Sequence, residues 1–79
     1  MWKRSSLLYS SREVVRALER LGFSRVSQRG SHIKLRKRTP QGTRTVIAKA
    51  AADEIPTGTF SSILRQAGIT REDFEKAVR

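Results

Sequence analysis

The stretch His32-Ile33-Lys34-Leu35-Arg36 alternates polar and apolar side chains without a break, and it lies between two turn signals, Gly30-Ser31 and Thr39-Pro40-Gln41-Gly42. A period of two puts Ile33 and Leu35 on one side of a β-strand and His32, Lys34 and Arg36 on the other. Glycine at Gly30 can take a positive φ, and proline followed by glycine suits the second turn. Neither turn is long enough for a crossover connection, so the strands they join must run antiparallel. Ser24 to Arg29, carrying Val26, gives a strand before the first turn. Arg44 to Lys49, with β-branched Thr45-Val46-Ile47, gives one after the second. The middle of the chain is therefore predicted to be a three-stranded antiparallel meander.

The flanks have the period of helices. Ser10-Ser11-Arg12-Glu13 reads as a capping box, with Tyr9 and Val14 placed as a hydrophobic staple. Val14, Leu18 and Leu21 share a face, and Gly22 followed by Phe23 reads as a Schellman ending. The first helix is expected over about Ser11 to Leu21. After a loop from Ala50 to Gly58, a second helix begins near Thr57 or Thr59. Phe60, Ile63, Leu64 and Ala67 are on its buried side, and Gly68 ends it, with Ile69 packing back on Leu64. Thr70-Arg71-Glu72-Asp73 caps a short last helix with Phe74, Ala77 and Val78 on one side.

The reading is an α+β fold of order αβββα plus a short C-terminal helix. The helices cover one face of the sheet and the other stays wet. With 79 residues there is room for one small domain, expected over residues 10–79 behind an N-terminal arm of residues 1–9. Trp2 and Tyr9 are assigned to the arm or the core rather than to base stacking.

Charge narrows the function. The formal net charge is +10, from 17 basic and 7 acidic residues, and no acid occurs between Ser24 and Ala52. That span holds Arg25, Arg29, Lys34, Arg36, Lys37, Arg38, Arg44 and Lys49. A segregated basic block is the electrostatic footprint of a nucleic-acid binder. A merely solvated surface is better served by mixed signs. A membrane surface fits poorly, since the block has no apolar helical stripe. DNA binding fits poorly as well, since no helix carries a basic recognition face. There is no cysteine, hence no disulfide and no thiolate metal site. No cluster of carboxylates or histidines offers a metal site, so neither metal nor cofactor is expected. The apolar run after Met1-Trp2-Lys3-Arg4 is too short for a signal sequence, and a cytoplasmic location is expected.

His32 is the chain's single histidine. An imidazole beside fixed positive charge suits a general base acting on a polyanion. The same position also suits an ordinary strand side chain, and the residues alone leave both readings open.

The three blocks SSREVVRALERLGF, QRGSHIKLRKR and IPTGTFSSILRQAGITREDF, in this order and spacing, resemble the HicA-type toxins of bacterial toxin–antitoxin modules. The resemblance spans roughly Ser10 to Phe74. It implies a fold like the double-stranded RNA-binding domain and a ribosome-independent, metal-independent endoribonuclease that cleaves mRNA. The family's Gly-Ser-His or Gly-Gly-His motif matches Gly30, Ser31 and His32, so His32 is implied to be catalytic. The resemblance also implies a HicB-like protein antitoxin, expected to cover His32. One motif is matched in part and there is one real departure. The family's Pro-Gly-Thr is matched only in part by Pro56 and Gly58-Thr59, with Thr57 between them. Many members also carry a valine–proline and a nearby histidine at the end of strand 3, where this chain has Ile47-Ala48-Lys49-Ala50-Ala51-Ala52. If that histidine contributes in relatives, this chain is slower or uses Lys49 instead.

For RNA cleavage the expected phosphate-binding residues are Arg29, Gly30, Ser31, Lys34, Arg36 and Lys49. Lys34 and Arg36 share the face of His32, Arg29 lies across the turn, and the turn's backbone N–H groups are offered to a phosphate. Arg25, Lys37, Arg38 and Arg44 are expected to position phosphates without chemistry. The alternative is an RNA-binding module of the same fold without turnover.

Overall fold

The computed structural model describes residues 8–79; the expected arm falls almost wholly on residues 1–7, outside the described residues. The elements run α1 (Ser11–Arg20), β1 (Ser24–Arg29), β2 (His32–Thr39), β3 (Gly42–Lys49), α2 (Thr57–Ala67) and α3 (Arg71–Val78). This is the α+β order αβββα with a further C-terminal helix.

Local chemistry sets the helix ends. Ser10 Oγ accepts from the Glu13 N–H at 3.1 Å, and Glu13 Oε1 accepts from the Ser10 N–H at 2.9 Å, closing the capping box. At the other end the Phe23 N–H donates to the Leu18 carbonyl and the Gly22 N–H to Glu19, which is the Schellman pattern. Helix α2 ends alike, with the N–H groups of Gly68 and Ile69 donating to Leu64. Gly68 has φ +70°, a backbone state that favours glycine, and the guanidinium of Arg44 lies close beside it. Thr70 and Asp73 form a second capping box at the start of α3.

The sheet has the order β1-β2-β3, antiparallel throughout. Both hairpins have two-residue loops: Arg29 pairs with His32 around Gly30-Ser31, and Thr39 pairs with Gly42 around Pro40-Gln41. Gly30 is first in its loop with φ +55°, a backbone state that favours glycine. Pairing through Gly42 starts β3 two residues before the expected Arg44. The Ser31 carbonyl accepts from the Ala50 N–H at 2.7 Å, which fixes the first turn beside the end of β3. In β1 the register slips between Arg25 and Ser27, leaving Val26 as a bulge residue.

Ile33 and Leu35 of β2 lie opposite Ala48 and Val46 of β3, and all four are buried. They meet Val14, Leu18, Phe23, Ile55, Phe60 and Ile63 in one core beneath α1 and α2. Tyr9 belongs to this core. Its ring centroid is 4.8 Å from that of Phe74 and 5.4 Å from that of Phe60, and its carbonyl accepts from the Ile55 N–H. Ser11, 1% exposed, exchanges two bonds with Ala52: its N–H donates to the Ala52 carbonyl and its Oγ accepts from the Ala52 N–H, each at 2.9 Å. This ties the start of α1 to the loop that leads into α2. No helix among the described residues is long and apolar enough to cross a membrane.

Candidate nucleic-acid interface

The face of the sheet turned away from the helices is built row by row from the strand register. Arg29, His32 and Lys49 are consecutive partners across β1, β2 and β3 and form the first row. Ser27, Lys34 and Ile47 form the second, and Ser24, Arg36 and Thr45 the third. Arg38 and Thr43 follow. Directly opposite residues in an antiparallel pair have Cα atoms about 4.5–5.5 Å apart, so the imidazole of His32 stands between two cationic neighbours. Successive rows are two residues apart, about 7 Å. The face thus offers a ladder of positive groups about 20 Å long with the imidazole at one end.

None of these residues is buried; Lys34 is half-buried and the others are exposed. Among the described residues, none of His32, Arg29, Lys34, Arg36, Arg38 and Lys49 has a side-chain hydrogen bond or ion pair. All seven acids lie on the helices or in the loop after β3, so no carboxylate interrupts the ladder. The first two rows enclose a depression of about 420 Å³ lined by Ser27, Arg29, His32, Lys34 and Ile47. A depression of similar volume between α1 and α3 has a different character. It contains Asp73 and no histidine, and its Arg20 donates to the carbonyls of Ala77 and Arg79 at the end of α3.

Of the residues singled out in the sequence, His32, Arg29, Lys34, Arg36 and Lys49 share the open face, with Gly30 and Ser31 at its edge. Three of the four cations expected to position phosphates have other positions. Lys37 follows Ile33 and Leu35 onto the helix side, where its Nζ donates to the Leu21 carbonyl at 2.7 Å and lies 5.9 Å from the Phe23 ring centroid. A cation beside the last carbonyls of α1 also complements the helix dipole. Arg25, opposite the buried Leu35, pairs with Glu19 at 3.4 Å. Arg44, opposite Lys37, rests against Gly68. Only Arg38 remains with the ladder. Sequence reading missed Ser27 and Ile47, which enter the site through register: both are partners of Lys34.

A family model described as the HicA toxin of bacterial toxin–antitoxin systems matches residues 11–69. The chain belongs to the HicA toxin family. The match runs from the first residue of α1 to the residue after Gly68 and takes in the whole sheet, so the open face is part of the family domain. No curated protein matches the chain. As a HicA toxin, the protein is the toxin of a toxin–antitoxin system and has a cognate antitoxin.

Proposed function

We propose that this HicA toxin is an endoribonuclease that cleaves mRNA without a metal, with His32 as its general base. The observation that carries the reading is the row Arg29–His32–Lys49: a single imidazole between two cations on an acid-free face. RNA brings its own nucleophile. His32 removes the 2′-hydroxyl proton, and the O2′–P bond forms as the P–O5′ bond breaks, leaving a 2′,3′-cyclic phosphate and a 5′-hydroxyl. Lys49 donates the proton taken up by the departing O5′. It thereby does the work that a strand-3 histidine would do in relatives, and proton exchange with water resets both groups. Arg29 and Lys34 face the phosphate oxygens whose charge grows in the transition state. Arg36 and Arg38 hold flanking phosphates, and the backbone N–H groups of Gly30 and Ser31 add donors at the edge.

Incubating the pure protein with end-labelled RNA in EDTA tests this. Cleavage with cyclic-phosphate ends is expected, and His32→Ala should lower its rate by about 10²–10⁴-fold while the thermal midpoint stays put. RNA bound without turnover would instead establish the RNA-binding module, and wild-type cleavage by His32→Ala would remove His32 from the mechanism.

The cognate antitoxin is proposed to be HicB-like and to cover His32, placing carboxylates where phosphates bind at Lys34 and Arg36. Complementary charge steers such an encounter. Antitoxin should therefore displace bound RNA, and its association rate should fall with added salt. A ternary complex that keeps RNA bound would refute direct occlusion.

A further inference from the structure

Two large apolar side chains stand exposed among the described residues, Val26 at 45% and Ile47 at 42%. Val26 is the bulge residue of β1. Ile47 is different in kind, because it lies inside the depression that holds His32. It faces Lys34 directly across the β2–β3 ladder, one row from the Arg29–His32–Lys49 row. Its backbone is also fixed from the far side. The Ile47 N–H, on the free edge of β3, donates to Gln66 Oε1 of α2 at 3.1 Å, and Gln66 Nε2 reaches Ser62 Oγ at 3.4 Å. Ile47 is thus an apolar surface held in place beside the imidazole, in a cleft whose rim is otherwise cationic or polar.

A general ribonuclease site needs only phosphate and 2′-hydroxyl contacts, and nothing in that chemistry calls for a fixed isoleucine at the reacting centre. Single-stranded RNA does present flat apolar faces, its bases, about one nucleotide's reach from each phosphate. Among the described residues all the aromatic rings are elsewhere: Tyr9, Phe60 and Phe74 pack together, and Phe23 is buried under α1. Among the described residues, then, no aromatic ring stands in this cleft to stack a base.

We propose that Ile47 is the base-contact residue of the site: it receives the face of one nucleobase next to the scissile phosphate, while Ser27, on β1 beyond Lys34 in the same row, offers its hydroxyl to that base's edge. The occupant is one unpaired nucleotide of RNA. The cations on the rim, Arg29 and Lys34, suit its flanking phosphates, and the aliphatic surface between them suits its base. This assignment rests on the ribonuclease reading above and adds to it that the site senses a base as well as the backbone. Ile47 and Ser27 make the toxin selective for a single unstacked nucleotide at the cut, and paired RNA is excluded because its bases cannot splay into the cleft.

The test uses a short single-stranded RNA and a series in which one ribonucleotide at a time is abasic, so charge and 2′-hydroxyls are unchanged. Binding is measured with His32→Ala and cleavage with the unaltered chain. One abasic position next to the cut should lower both by at least about fivefold. Ile47→Ala should bind intact RNA as weakly as the parent binds the abasic one, with no further loss when both changes combine, and Ile47→Val should fall between. Ser27→Ala should change preference among the four bases without abolishing the abasic penalty. Because Ile47 is exposed, these variants are expected to fold; should Ile47→Ala fail to, the abasic series on the unaltered residue and Ile47→Val still decide. A flat abasic series with RNA still cut at the His32-dependent rate overturns the base contact and leaves the ribonuclease reading standing. RNA neither bound nor cut overturns both.

Discussion

The helix-side face of the sheet carries Ile33, Leu35, Val46 and Ala48, none more than 4% exposed, while the opposite face carries His32, Lys34, Arg36, Arg38 and Lys49, none buried. The two sets alternate along the same two strands and share one hydrogen-bond ladder. What separates them is the partner each found. On the helix side even cations are drawn into the structure: Lys37 holds the end of α1, Arg25 pairs with Glu19 and Arg44 rests on Gly68. On the open side the cations have no counter-charge among the described residues, and like charges two residues apart repel one another across water. An arrangement that gains nothing for the fold is what the proposed RNA substrate would account for. Local basic composition is therefore a poor guide to which cations are left without a partner. Strand parity is a better one, since it separates Lys37 from Lys34 although both lie in one run of charge.

The comparison is tested most strongly at two adjacent positions of β2. Leu35→Ala removes a fully buried side chain from the centre of the core and should cost about 2–5 kcal/mol of stability. In a domain of this size that is a large share of the whole. Arg36→Ala, one residue on, should change stability by no more than about 0.5 kcal/mol. It should instead weaken RNA binding and reduce the slope of log K against log salt by about 0.7, the value for one lost phosphate contact on a single strand. Chemical denaturation and a salt titration of RNA affinity read the two effects. If Arg36→Ala destabilises as Leu35→Ala does, or leaves the salt slope alone, the division of labour between the faces is wrong.

Much of the fold was legible because its signals are local. The Ser10–Glu13 and Thr70–Asp73 boxes, the Gly22 and Gly68 endings and the two-residue loops each lie within a few positions of chain. The parity of β2 was legible too, because Ile33 and Leu35 sit among polar neighbours. That placed His32, Lys34 and Arg36 together, and the turn placed Arg29 beside them. What stayed hidden depends on register between distant segments. Ser11 reads as a helix residue next to its cap, and nothing near it points to Ala52, 41 positions on. Ile47 looks like one more β-branched strand residue until pairing with Lys34 brings it beside His32, and Gln66 looks like a solvated helix position until its amide seals the Ile47 N–H. Lys37 is the reverse case. The charge run put it among the cations expected to position phosphates, while its parity with Ile33 and Leu35 puts it on the helix side, beside the Leu21 carbonyl.

Lys37 and Arg38 give the finest test, because they are adjacent cations that composition cannot tell apart. Lys37 is half-buried and its ammonium donates to the Leu21 carbonyl, a group at the end of α1 with no helical partner of its own. Lys37→Met keeps most of the aliphatic stem against Phe23 and removes only the charge and the donor. It should cost about 0.5–1.5 kcal/mol, the net worth of one hydrogen bond, with a small addition from the helix dipole. RNA affinity and its salt slope should stay at the parent value, since the ammonium points away from the ladder. Arg38→Ala should do the reverse: stability within about 0.5 kcal/mol of the parent, and a salt slope lower by about 0.7. Arg38 is about 20 Å along β2 from His32, so cleavage of a dinucleotide, too short to reach it, should be unaffected while cleavage of a longer RNA weakens. A Lys37→Met protein that loses the same salt slope as Arg38→Ala would mean that both faces meet the polyanion, and the basic run would then act as one patch.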